Sequence, residues 1–112
     1  MAELRIDDDR VHVDLTPVQQ LGAVCRPFSV ARSSITGVDV VDAPFERLRG
    51  FRVPGTGWPR VIALGTWRGR GTKDFVSIHR NERAILIDLE GERFDRLLVG
   101  VDSPETLAAQ LA

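Results

Sequence analysis

Arg68-Gly69-Arg70-Gly71-Thr72-Lys73 is the segment whose residue types come nearest to a recognisable chemistry. Glycines let backbone N–H groups approach an anion, and arginine offers forked donors that match carboxylate or phosphate oxygens. The segment closes a longer run, residues 47–73, which holds Arg47, Arg49, Arg52, Arg60, Arg68, Arg70 and Lys73 and neither Asp nor Glu. The rest of the chain is acidic enough to bring the formal net charge to -1. A chain divided this way presents a local positive field to any partner. The candidate contact residues are Arg49, Arg52, Trp58, Arg60, Arg68, Arg70 and Lys73. Arg68 and Arg70 would pair with carboxylate or phosphate, and Trp58 would supply desolvated apolar area. The structural alternative is a solvated hairpin turn, preceded by a loop from Arg49 to Arg60 that folds over one end of the sandwich and buries Phe51 or Trp58. The glycines do not make a nucleotide-binding loop, because the Gly-Lys-Ser/Thr ending is missing.

Other residue sets carry less. Asp74, Ser77 and His79 contain the residue types of a catalytic triad, but Ser77 and His79 are neighbours on one strand face and no nucleophile elbow accompanies them. Asp7-Asp8-Asp9 lacks the spaced ligands of a calcium loop and reads as a hydrated turn. Cys25 is the single cysteine, so neither an internal disulfide nor a cysteine-based zinc site can form. His12 and His79 have no metal-ligand spacing. The expectation is therefore no catalytic residues, no metal and no cofactor.

The elements that must position the basic run follow from periodicity. Leu4 and Ile6, then Val11, Val13 and Leu15, alternate with polar residues as half-buried strands do, with the three aspartates as the turn between them. Thr16-Pro17 opens a short helix of one or two turns. Phe28, Val30 and Ile35 lead into a strand near residues 36–41, and Pro44 to Arg49 holds a helical turn. Residues 50–59, with Gly50, Pro54, Gly55, Gly57 and Pro59, read as a long loop. Strands at 61–67 and 73–79 flank the basic tip as a hairpin. The nearly all-apolar stretch Ala84 to Leu89 predicts a central, buried strand. A strand over 94–101 places Leu97, Val99 and Val101 on one face. Ser103-Pro104-Glu105 starts a helix with Leu107 and Leu111 in one stripe.

The order of elements resembles the pleckstrin-homology-like fold in its small bacterial, actinobacterial form. The residues that carry the resemblance are Ser34-Ile35 with Val38 and Val40, Arg49 to Gly57, Ala63 to Trp67, Gly71 to Phe75, and Phe94 to Glu105. The strand, Asp102-Ser103-Pro104-Glu105 and helix that end the chain are its most telling part. The resemblance implies one domain over residues 1–112, mainly β (α+β by content): an antiparallel sandwich or partly open barrel of about seven or eight strands, capped by a C-terminal α-helix. Eukaryotic members bind phosphoinositide head groups, peptides or proteins, the small bacterial ones are largely of unassigned role, and no catalytic set goes with the fold. The lipid-binding members hold phosphates on their first hairpin, whereas the basic hairpin here is in mid-chain.

Together these readings predict a non-catalytic adaptor that binds a protein or peptide partner or another subunit, through the basic 47–73 region or by sheet-edge pairing into a homo-oligomer. Peripheral binding to an anionic lipid surface is the alternative, and it requires the basic tip and an apolar residue at one end of the barrel. Nucleic acid is disfavoured by a pI near 6.1 and by the lack of an aromatic-rich sheet face. The start, Met1 to Arg5, has no signal-peptide apolar stretch, so the expected compartment is the cytoplasm. A chain of this length is expected to bury a single core.

Overall fold

The structure is a computed structural model that describes residues 3–23, 25–58 and 61–111, with the side chains of 51–58 outside the description. Its nine strands among the described residues form two sheets, ordered β1-β2-β3 and β4-β8-β9-β7-β6-β5.

The first sheet is built from β1 (Glu3–Ile6), β2 (Arg10–Asp14) and β3 (Phe28–Ala31). The aspartate turn joins β1 to β2 as expected, with Asp7 N–H donating to the Arg10 carbonyl at 2.8 Å. Between β2 and β3 lies α1 (Pro17–Ala23). Thr16 Oγ1 accepts from Gln19 N–H at 3.2 Å while Gln19 Oε1 accepts from Thr16 N–H at 2.9 Å. This reciprocal cap satisfies two donors at the helix start and explains why a glutamine is buried there.

The second sheet holds β4 (Ile35–Val41), β5 (Phe51–Trp58), β6 (Ile62–Gly69), β7 (Thr72–His79), β8 (Ala84–Leu89) and β9 (Arg96–Gly100). β8 sits between β4 and β9 and is covered on both faces, which is why its sequence is apolar at every position but Asp88. The pairings are antiparallel except β7 with β9, which run parallel. The fold is thus a mainly antiparallel β-sandwich, and α2 (Pro104–Leu111) closes it by packing Leu107, Ala108 and Leu111 on the core.

Two expectations are corrected. Residues 51–58 form an edge strand rather than a loop, pairing with β6 through a register shift between Arg52 and Gly55. Pro54 falls within that irregularity at the sheet edge, where a missing N–H donor is tolerated. The core is also double, because the six-stranded sheet is covered on both faces. Phe75, Ile85, Ile87, Leu97 and Val99 face the three-stranded sheet and α2. Their strand neighbours Val76, Ile78, Ala84, Leu86 and Leu98 join Trp67 in a second cluster. The chain from β4 to β5 passes between opposite edges of the sheet, and from it Phe45 and Leu48 pack on this second cluster. It contains a 3-10 turn, Pro44–Arg47, and acts as a strap.

Candidate anion-binding site

The sheet's alternation splits the basic run between its two faces. Arg47 and Arg49 belong to the strap over the second cluster. Arg49 donates through Nε and Nη2 to the two carboxylate oxygens of Asp74, both at 2.7 Å. Asp74 is buried, and this bidentate pair holds the Arg49 guanidinium above its ordinary pKa, chiefly through the hydrogen bonds to Asp74. Arg47 lies 3.7 Å from Asp39. Both cations are thus matched from within. Asp74 shares its sheet face with Val76 and Ile78, opposite Phe75 and Ser77. It is therefore turned away from His79 and Ser77, and the three residues do not assemble a triad. Ser77 Oγ is buried with no hydrogen-bond partner among the described residues. His79 Nδ1 lies 3.5 Å from Glu82 Oε1 without hydrogen-bond geometry, and that oxygen accepts from the His79 backbone N–H at 2.7 Å.

Arg68 and Lys73 stand on the other face. They are direct cross-strand partners next to the β6–β7 turn, a placement in which like charges repel. Gly71, with φ of +71°, lets the chain reverse in two residues and leaves Arg70 exposed at the tip. A third cation arrives from the β8–β9 connection. Arg93 Cζ lies 4.9 Å from the centroid of the Phe94 ring, and Lys73 Nζ lies 5.4 Å from the same centroid. Phe94 is itself fixed in the core against Phe28 and Phe75, with centroid separations of 5.1 and 5.7 Å. A buried ring thereby holds two cations at one corner of the sandwich.

The electrostatics report the crowding. Lys73 is held below its ordinary pKa, first by desolvation and then by repulsion from Arg68 and Arg93. Asp95 is nearby, but its Oδ2 accepts from the Lys73 backbone N–H at 2.8 Å. Among the described residues Arg26, Arg70, Lys73 and Arg93 form no ion pair with a carboxylate. Cys25 adjoins this corner. Burial pushes its thiol up, opposed by Arg93 and then Lys73, and Sγ donates to the Arg26 carbonyl at 3.3 Å. Cys25 and Arg26 also line an open concavity of about 490 Å³ with Pro17, Gln20 and Leu21 of α1.

The candidate residues therefore divide. Arg68, Arg70 and Lys73 come together at one corner, and Arg49 is engaged with Asp74. Arg52 and Trp58 lie in β5, whose side chains are outside the description, and Arg60 is outside the described residues. Arg93 was not singled out in the sequence because it lies beyond the basic run. The available signal was an Arg-Phe pair just after the turn at Gly91. Asp7, the first residue of the acidic turn, contacts His12 Nε2 at 2.6 Å through Oδ2. No group of metal-holding residues occurs among the described residues, and no described helix is long and apolar enough to cross a membrane.

No family model matches the chain, and neither a curated protein nor a solved structure is significantly similar to it.

Proposed function

We propose that this chain is a non-catalytic binding domain that recognises the acidic surface of a partner through the corner formed by Arg68, Arg70, Lys73 and Arg93. The observation that carries this reading is the convergence of Arg68, Lys73 and Arg93 from separate strands and a connection, with the Lys73 ammonium held below its ordinary pKa by desolvation first and by the two arginines second. Three cations held together repel one another in the free protein, and a bound anion removes that repulsion while gaining charge-assisted hydrogen bonds. Such a site binds without chemistry. The two-sheet sandwich closed by α2 is the architecture that a pleckstrin-homology-like adaptor would have, although the parallel β7·β9 pair departs from the all-antiparallel form that the resemblance implies.

Poly-glutamate is a direct probe. The wild-type chain is expected to bind it with an affinity that falls steeply as salt rises. Lys73→Ala/Arg93→Ala is expected to weaken binding about tenfold or more at low salt, the scale of two lost charge contacts. Binding that is absent, or equal in wild type and double variant, would contradict the proposal.

A further inference from the structure

Helix α1 is inverted. Its buried residues are Gln19 and Ala23, while Val18 and Leu21 are 81% and 82% exposed. Among the described residues the one other exposed large apolar side chain is Val61, at 39%. Val18 and Leu21 are three residues apart, so they project from the same side of the helix. The capping needs of Gln19 account for the buried glutamine, but nothing in the sandwich accounts for two solvated apolar side chains in a row.

Their position ties them to the cationic corner. Leu21 shares the open concavity with Cys25 and Arg26, and Cys25 feels Arg93 and Lys73. The helix also packs across β5 and β6, and β6 ends at the basic turn. One end of the molecule therefore carries a protruding apolar pair beside Arg26, Lys73 and Arg93. A peptide-binding groove recesses its apolar anchor sites between walls. Here the concavity that Leu21 lines is open rather than walled, and Val18 and Leu21 stand out at its side almost fully exposed, a shape suited to entering a soft, apolar layer, with cations at the level of its anionic boundary.

From this we infer that the acidic partner is a membrane leaflet, into which Val18 and Leu21 insert while Arg26, Lys73, Arg93 and the Arg70 tip meet lipid phosphates. The inference rests on the anion-binding reading of the corner. It places the contact on α1 and the β6–β7 turn, away from the β1–β2 hairpin that opens the chain.

The test is co-sedimentation at near-physiological salt with phosphatidylcholine vesicles and with vesicles one third phosphatidylglycerol, run beside poly-glutamate binding. Wild type is expected to sediment with the acidic vesicles alone. Val18→Ser/Leu21→Ser is expected to lower that partitioning about tenfold, the scale of two partly inserted apolar side chains. Leu21→Trp is expected to raise it severalfold, because indole favours the interfacial layer. Thermal melting of both variants confirms that they are folded, and the Trp variant decides the matter if the Ser variant is not. Poly-glutamate binding without vesicle binding would overturn the membrane inference and leave an acidic protein segment as the partner. Vesicle binding indifferent to Val18 and Leu21 would overturn it as well. Binding to neither probe would remove both this inference and the anion-binding reading.

Discussion

Asp74 decides what the arginines before it can do. Its carboxylate is buried on the second-cluster face of β7, and Arg49 is the cation that meets it with two hydrogen bonds. Removing Arg49 would leave a buried charge without its partner, which costs about 3–5 kcal/mol when both groups are fully enclosed. The Arg49 side chain is 35% exposed, so water reaches the pair, and about 2–3 kcal/mol is the expected loss for Arg49→Ala. Arg49→Met/Asp74→Leu is expected to recover most of that loss, since an apolar pair removes the desolvation cost altogether. Chemical denaturation of the three proteins measures it, and an Arg49→Ala midpoint equal to wild type would show that the pair anchors nothing. This pairing could not be read from the sequence. The two residues are 25 positions apart, and only the crossing of the strap over β7 joins them. Cross-strand and local relations were more legible. The Arg68/Lys73 tip and the Thr16-Pro17 helix start follow from spacing, although the Gln19 half of the cap went unread.

The strap is the element on which the second cluster depends. It returns the chain from one edge of the six-stranded sheet to the other and lays Phe45 and Leu48 on Trp67 and its neighbours. Gly50 ends it, with φ of +80°, and a methyl group there would overlap the carbonyl of Arg68. Gly71 has a similar φ of +71° but open space around it. Gly71→Ala is therefore expected to cost about 1 kcal/mol, the strain of the backbone alone. Gly50→Ala should cost well over twice that, because strand β6 must also shift. Comparison of the two melting temperatures checks the contrast, and equal losses would mean that the strap does not lie against the end of β6. Strand β5, beyond the strap, was not legible in the sequence. Its glycines and Pro54 carry the composition of a loop, and only pairing along β6 makes it a strand, a non-local term that overrides local propensity. The doubly covered sheet, by contrast, was written in the apolar run of β8, although one core was expected from length.

At the scale of the whole molecule, the net charge of -1 hides a division of roles among its cations. Arg5, Arg47, Arg49, Arg83 and Arg96 pair with carboxylates of the fold, and Arg83 links Asp42 to Glu105 at the start of α2. Lys73 and Arg93, which form no ion pair with a carboxylate among the described residues, share one corner with Arg68, next to the exposed apolar pair of α1. The proposed function rests on this separation: the paired cations stabilise the fold, and the corner of Lys73 and Arg93 is the one offered to an anion. The most direct measurement is an amide-resolved NMR titration of the wild-type chain with poly-glutamate at low salt. The account predicts shifts concentrated at Cys25, Arg26, Arg68 to Lys73, and Arg93 and Phe94, reversed by added salt, with the strap and α2 unmoved. Shifts centred on the strap or α2, or none at all, would contradict it.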